Sequence, residues 1–329
     1  MLGVGYKAWL PLNAASGGEA IDQLIVIIHW FMAVLFVGWG AYFVWCLVRF
    51  RARAGHVPTP ELPHAKASKF GEVIVIIIEA ILLLGFSIPI WARMRGNGNG
   101  PDPKEALTVR VVAEQFAWNI HYPGRDGIFG RTEIALISKE NPVGLDRSEP
   151  AGKDDIVTIN QMHVPVDRDV LVYLSSKDVI HNFGLPLLRV KQDAMPGMTI
   201  PVWFKANQTT DKIRDQLVAP YPLTGRDPML LLKYHLAMQD CQDRDGETIV
   251  AKGDQVNEEN VAALLEAGFE EILAAPAVPT EIACAQLCGL GHYRMRGYLT
   301  IDSPEDFEKW MASEEAWLED DEDEDDEGY

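Results

Sequence analysis

The sequence predicts two membrane-spanning helices followed by an all-β sandwich or barrel, with a helical insertion inside the β part and an acidic tail after it. Three observations carry that prediction. Two long apolar runs lie near the N-terminus, at residues 23–48 and 73–91. Beyond residue 106 the pattern changes to short β-branched segments bounded by Gly, Pro or Asp. Charge is uneven: 48 acidic against 29 basic side chains give a net −19, and the acids crowd at the C-terminal end. The 329 residues are 48% hydrophobic, enough to bury a core, which excludes wholesale disorder. The negative balance argues against a nucleic-acid partner, whose phosphates need a basic face.

Residues 1–22 read as an outer N-terminal segment and residues 23–96 as a helical hairpin, with helices at about 23–49 and 71–92. Residues 23–48 contain no Asp, Glu, Lys or Arg, and the run exceeds the roughly 20 residues a bilayer core needs. It is too long for a signal-peptide core. Trp30, Trp39, Tyr42 and Trp45 suit an interfacial belt. The second run is broken only by Glu79. The loop between the helices carries Arg49, Arg51, Arg53, Lys66 and Lys69 against Glu61 and Glu72. Positive loops stay cytoplasmic, so both termini are expected outside, although Arg93, Arg95 and Lys104 after the second helix pull the other way. A charge at the position of Glu79 costs about 2.5–3.5 kcal/mol on insertion scales, so it is expected to face protein or water, as a hydrogen-bonded acid or a proton-path residue. His29 reads as a packed or interfacial histidine.

Residues 97–101 (NGNGP) form a turn cluster, and the β domain is expected over 97–303. Its candidate strands are 107–113, 156–160, 169–175, 187–191, 198–206 and 296–301. Residues 209–277 are polar and read as an insertion. Within it, 257–274 carries Val261, Leu264, Leu265 and Ile272 at helical spacing. His235, Met238 and Cys241 in this insertion are either a second metal site or a buried thiol beside a surface histidine. Residues 304–329 are expected to be a helix and a disordered acidic tail; from 314 on there are eleven acids and no base. The tail serves solubility or steers a basic partner.

The chain has four cysteines, Cys46, Cys241, Cys284 and Cys288, too sparse for a disulfide scaffold. Cys284 and Cys288 open a C-x3-C-x3-H-x2-M run completed by His292 and Met295. Two thiolates, an imidazole and a thioether are a soft donor set that suits copper. Gly289 and Gly291 let the backbone fold closely around a metal. A single blue-copper ion would leave one thiolate over, whereas two thiolates bridging two coppers would use both. His181, after a predicted strand, is the candidate second histidine. A tetrahedral zinc cage of His181, Cys284, Cys288 and His292 is the alternative, and it leaves Met295 without a role.

On these residues the chain resembles subunit II of the haem–copper respiratory oxidases, the cytochrome c oxidases. The resemblance covers the hairpin, the β domain and the copper loop, and leaves out the insertion and tail. A second matching block spans residues 178–198, with Asp178, His181, Pro186, Lys191, Asp193, Pro196 and Gly197 in place. A third is Gln115-Phe116-Ala117-Trp118. The resemblance implies a cupredoxin-like Greek-key sandwich holding the binuclear copper centre CuA. Its ligands would be His181, Cys284, Cys288, His292 and Met295, with Gln286 giving its main-chain carbonyl. Electrons would come from cytochrome c, or a cytochrome c domain, and pass to haem in subunit I. There haem and CuB reduce oxygen to water and protons are pumped. Other oxidase subunits, a respiratory supercomplex and membrane lipid are the implied partners, in a bacterial plasma membrane with the β domain on the outer, periplasmic side.

The chain departs from the better-known members in three places, Gln286, Phe116 and the second helix, where Val75, Ile76 and Glu79 replace family residues. Gln286 replaces a Glu whose carboxylate helps hold magnesium at the subunit interface. Phe116 replaces the usual electron-uptake Trp, leaving Phe116 and Trp118 as the electron path. Around the second helix Glu72 matches the acid at the mouth of a proton channel, whereas Glu79 matches no family role; both are proton-path candidates. A CuA subunit of a nitric oxide reductase is the rival within the superfamily, and a membrane-tethered zinc or copper binding protein is the rival outside it. A quinol oxidase subunit would have lost the copper ligands, and no C-x-x-C-H haem motif or nucleophile turn occurs.

Overall fold

A computed structural model of the chain describes residues 10–55, 66–94, 100–225 and 227–326. Glu61 of the hairpin loop, Arg95, residues 97–99 of the turn cluster and the last three residues of the tail lie outside them. The chain divides into a helical unit (Met1–Leu10 and Gly17–Asn99) and a β unit (Pro11–Ser16 and Gly100–Tyr329).

In the helical unit, α1 spans Gly18–Arg49. It starts earlier than the apolar run because Glu19 in its first turn suits the positive end of the helix dipole. The second run, expected as one helix, is α2 (Lys66–Leu82), a π-helical turn (Leu83–Ser87) and α3 (Ile88–Met94). Pro89 supplies the reason: it lacks an N–H, and its ring conflicts with the carbonyl four residues back. The wider π turn absorbs that conflict, and Ser87 Oγ donates to the Leu82 carbonyl at 3.2 Å. Both Gly18–Arg49 and Lys69–Met94 are long and apolar enough to cross a membrane. Only 6% and 0% of their most apolar windows are buried, so neither is the core helix of a soluble fold. Trp39, Tyr42, Trp45 and Phe50 form a ladder of ring contacts 5.8–6.0 Å apart along α1.

The β unit is a sandwich of two five-stranded sheets. Its first strands are β1 (Leu107–Glu114), β2 (Ala117–Tyr122), β3 (Ile156–Ile159), β4 (Gln161–Pro165) and β5 (Asp169–Ser176). Then come β6 (His181–Leu185), β7 (Val190–Ala194) and β8 (Ile200–Lys205). The insertion adds α4 (Thr210–Gln216), β9 (Ala219–Pro222), α5 (Met229–Leu232), β10 (His235–Ala237), β11 (Cys241–Gln242), β12 (Thr248–Val250), α6 (Glu258–Glu266) and β13 (Glu271–Pro276). The chain ends with β14 (Glu281–Cys284), β15 (Arg296–Asp302) and α7 (Pro304–Asp326). One sheet has the order β3-β2-β1-β5-β8 and the other β4-β15-β14-β6-β7. The expected antiparallel pattern holds except for two parallel pairs, β1 with β5 and β15 with β4, where strands distant in sequence lie side by side. Alternating Val109, Val111 and Ala113 from β1 share one buried core with Leu299 and Ile301 from β15 and with Trp118, Tyr122 and Phe183.

The segment before α1 is part of this sandwich. Ala14 is fully buried; its N–H donates to Leu187 O and its carbonyl accepts from Asn207 N, both at 2.9 Å. Ser16 N donates to Lys205 O. The strand expected at 187–191 starts later, at Val190, because Pro186 opens a 3-10 turn ending at a left-handed Arg189.

The insertion is less helical than its sequence suggests. The run at 257–274 is helical only over Glu258–Glu266, capped by Asn257 and Asn260. Gly268 takes a left-handed φ of +92° and ends the helix, and Ile272 falls in β13 instead. β13 is the middle strand of a small sheet, β10-β13-β9, over a separate apolar core that includes Leu264 and Ile272. The acidic tail, expected to be disordered, continues α7 as far as Asp326. Ser303 Oγ accepts from Asp306 N, and Phe307 and Met311 are buried against the sandwich. With the nucleating turns formed, each further helical residue costs little.

Candidate metal centre

One end of the sandwich collects the predicted donors. β5 ends and β6 begins there, so His181 is the first residue of a strand and is fully buried. β14 ends there at Cys284, beside Phe183 of β6. The loop after Cys284 returns through a short 3-10 turn at His292–Arg294 into β15. Cys284 Sγ lies 3.8 Å from Cys288 Sγ, 3.9 Å from His181 Nδ1 and 3.2 Å from the Gln286 carbonyl. Cys288 Sγ lies 3.5 Å from His292 Nδ1 and 3.7 Å from Met295 Sδ, which is 3.2 Å from His181 Nδ1. All six predicted donors therefore meet in one chain of contacts. Among the described residues, His181, Cys284 and Cys288 form a group whose donor atoms all lie within 4.8 Å of one another.

Burial, and then the neighbouring Cys284, push the Cys288 thiol up to about 11. Without a cation it stays protonated at neutral pH; a metal would have to displace that proton. His181 is aimed by Asp178, whose Oδ1 lies 2.8 Å from Nε2 and leaves Nδ1 facing the sulfurs. Burial opposes ionisation of Asp178. Hydrogen bonds from His181, from Val179 N and from Gln115 N nevertheless hold its carboxyl below the usual range. Such an outer carboxylate fixes the tautomer and orientation of a ligand histidine.

The β1–β2 hairpin tip closes over the loop. A Cβ on Gly291 would come within 2.4 Å of the Phe116 ring, and one on Gly289 within 2.7 Å of Gln115 Nε2. Only glycine allows that approach, and Gly289 also takes a φ of +138°. Trp118 is fully buried and meets the His181 ring edge-on at 6.2 Å. The Gln286 side chain is exposed, and Leu287, Leu290 and Tyr293 around it are 78–97% exposed. Glu72 and Glu79 sit two turns apart on one face of α2, both exposed on the helix surface. His235, Met238 and Cys241 lie apart from this end: His235 Nε2 is 3.1 Å from the Tyr221 hydroxyl, and Cys241 is buried beside Gln239. Burial pushes the Cys241 thiol up and the half-buried His235 down. Sequence reasoning assigned no role to the Asp178 carboxylate or the Gln115 amide. An acid three residues before a candidate histidine was the available signal.

Residues 107–211 match the family described as cytochrome c oxidase subunit II, periplasmic domain. The chain is related to subunit II of the cytochrome c oxidases. The matched segment runs from the start of β1 into α4 and includes His181; it stops where the insertion begins, short of residues 284–295. The chain is similar to the alternative cytochrome c oxidase subunit 2 of Bradyrhizobium diazoefficiens, 24% identical over 310 residues, which are 94% of this chain and 84% of that protein. It is 31% identical over 170 residues to the probable cytochrome c oxidase subunit 2 of Rickettsia conorii, 52% of this chain and 49% of that relative, so it spans about half of it. A crystal structure of the periplasmic domain of subunit II of cytochrome oxidase from Bradyrhizobium japonicum aligns over 67% of this chain and 99% of its own, at 19% identity and a TM-score of 0.34. The sandwich stands on its own sheet topology and on the subunit II domain match.

Proposed function

We propose that this chain is the electron-accepting subunit of a haem–copper terminal oxidase, taking electrons from cytochrome c at a CuA centre and passing them to haem in subunit I. The observation that carries the reading is the position of Met295. Its thioether is buried between His181 and Cys288, inside the donor set, where a four-ligand zinc cage would not need it. The donor set is soft throughout, as copper prefers. The ligands would be His181, Cys284, Cys288, His292 and Met295, with the Gln286 carbonyl. Held by these residues, copper would supply a one-electron carrier.

The protein's own contribution is orientation and exclusion of water. Asp178 holds the His181 ring, the sandwich buries Cys288 and Met295, and the hairpin tip covers the loop. Phe116, against the loop, and Trp118, against His181, are the proposed electron path. The exposed neutral amide of Gln286 offers no carboxylate to a magnesium ion. Glu72 and Glu79, aligned on one helix face, are the proposed proton-path acids. Pro11–Ser16 and the chain from Gly100 on share one β unit, which supports a two-pass hairpin with both flanks on the same, outer side.

The test is copper analysis and electron paramagnetic resonance on the full chain in detergent after copper loading. Two coppers per chain, with hyperfine structure from one electron spread over two copper nuclei, is the expected result. One copper with a single-nucleus pattern, or a preference for zinc, would overturn it.

A further inference from the structure

The two halves of the donor set come from segments far apart in sequence, His181 from the start of β6 and the remaining donors from residues 284–295. Gln115 touches both. Its backbone N–H donates to Asp178 Oδ2 at 2.7 Å, while Asp178 Oδ1 lies 2.8 Å from His181 Nε2. Its side-chain Nε2 donates to the carbonyl of Cys288 at 2.5 Å. The hairpin strands on either side fix its place: Glu114 pairs with Ala117 across the tip, and Trp118 N donates to Asn160 Oδ1.

We propose that Gln115 is a positioning residue for the metal centre, tying the histidine-bearing and the thiolate-bearing segments to one rigid hairpin. This inference rests on the copper reading above. The main-chain arm through Asp178 survives any substitution at this position except proline. The arm to Cys288 does not, because only the side chain reaches it. Cys288 is followed by Gly289 in an unusual backbone conformation, and without a donor on its carbonyl the peptide between them is free to rotate. A reoriented peptide loosens the loop that carries Cys288, and with it the hold on the sulfur relative to the donors fixed by β6. A ligand held from outside by a hydrogen bond keeps its geometry whether or not the metal is bound. Gln115 itself is exposed, so the bond competes with water and its effect is that of one neutral hydrogen bond.

The experiment compares Gln115→Met, which keeps length but has no donor, and Gln115→Glu, which keeps shape and presents an acceptor to the carbonyl, with the unaltered chain, all full length and copper-loaded. Expected are copper release to a chelator about five- to tenfold faster in Gln115→Met, faster still in Gln115→Glu, and altered copper hyperfine splitting in both, with the thermal midpoints of the copper-free proteins unchanged. Unaltered release and splitting in Gln115→Met would overturn the proposal. So would a fall in the copper-free midpoint that accounts for the faster release, since that makes the bond merely structural. If the unaltered chain lacks the two-copper signal, the parent copper reading fails instead, so the two failures are distinguishable.

Discussion

Met295 occupies a place that two metal chemistries would use differently. Its sulfur contacts both His181 and Cys288 from a position 3% exposed. Met295→Leu nearly conserves volume, so the fold should stand, at a cost below about 1.5 kcal/mol. With copper, loss of the weak thioether ligand should leave the copper-to-protein ratio near that of the unaltered chain while shifting the visible absorption and the hyperfine splitting. An identical spectrum before and after the change would place Met295 outside the donor set. At this scale the sequence was legible where donors are local: Cys284, Cys288, His292 and Met295 announce themselves by spacing. His181 is not local, and its partnership emerged only from a strand end and a family resemblance. Asp178 was legible as part of a matching block but not as the group that aims an imidazole, because an acid near a histidine is as often a turn residue.

Elements were legible where one face meets the core and the other does not. β1 and β15 alternate and were expected nearly to the residue. β2 and β6 were missed, since every residue of β2 after its first, and all of β6, are buried, which removes the period-two signature. β6 also carries Gly184 and two polar residues, so it reads as a loop although it begins with a candidate metal donor. The helix expected over 257–274 failed at Gly268 for the opposite reason: an apolar periodicity ran on past a residue whose backbone stops the helix. In α7 the packed root decides the matter. Phe307 is 4% exposed, and its neighbour Trp310 stacks on His163 with ring centroids 4.4 Å apart. Phe307→Ala should cost about 3 kcal/mol and release this helix. Hydrogen exchange would then show amide protection along residues 304–318 falling about a hundredfold, with β1 and β5 unchanged. Retained protection would mean that Arg125, paired with Glu308 and Glu315 at 2.6 Å, holds the helix without the aromatic root.

For the whole molecule, strand direction sets what the acidic tail can reach. β15 leaves the donor loop at Arg296 and delivers the chain to Asp302, six residues on, just before α7. At about 3.3 Å per residue the donor loop and the root of the acidic helix are separated by roughly 20 Å, beyond a Debye length of about 8 Å at physiological salt. If the chain accepts electrons as proposed, an acidic helix rooted this far from the donor loop would bias the approach of a basic donor rather than grip it beside the thiolates. Deleting residues 319–329 should lower the bimolecular rate of cytochrome c oxidation about three- to tenfold at low ionic strength, leave the maximal turnover unchanged, and have no effect in high salt. Stopped-flow rates with the same salt slope in both proteins would assign the tail to solubility alone.

The strap at residues 11–16 gives the β unit an unusual order of assembly. Asn13 O accepts from Gln208 Nε2 across 195 residues of chain, and Ala14 fills a core position between strands synthesised long after it. The helical unit is thus an excursion in the middle of the sandwich's own chain, and the sandwich cannot close until the polypeptide has left it and come back. Contacts of such long range are the slow ones in folding. The same arrangement governs any attempt to work with the β unit in isolation. A fragment begun at Gly100 is missing a piece of its own interior, with the carbonyls of Leu187 and Lys205 and the N–H of Asn207 stripped of their partners. A faithful soluble version has to carry residues 11–16 back in, spliced ahead of Gly100 by a linker that replaces the membrane hairpin.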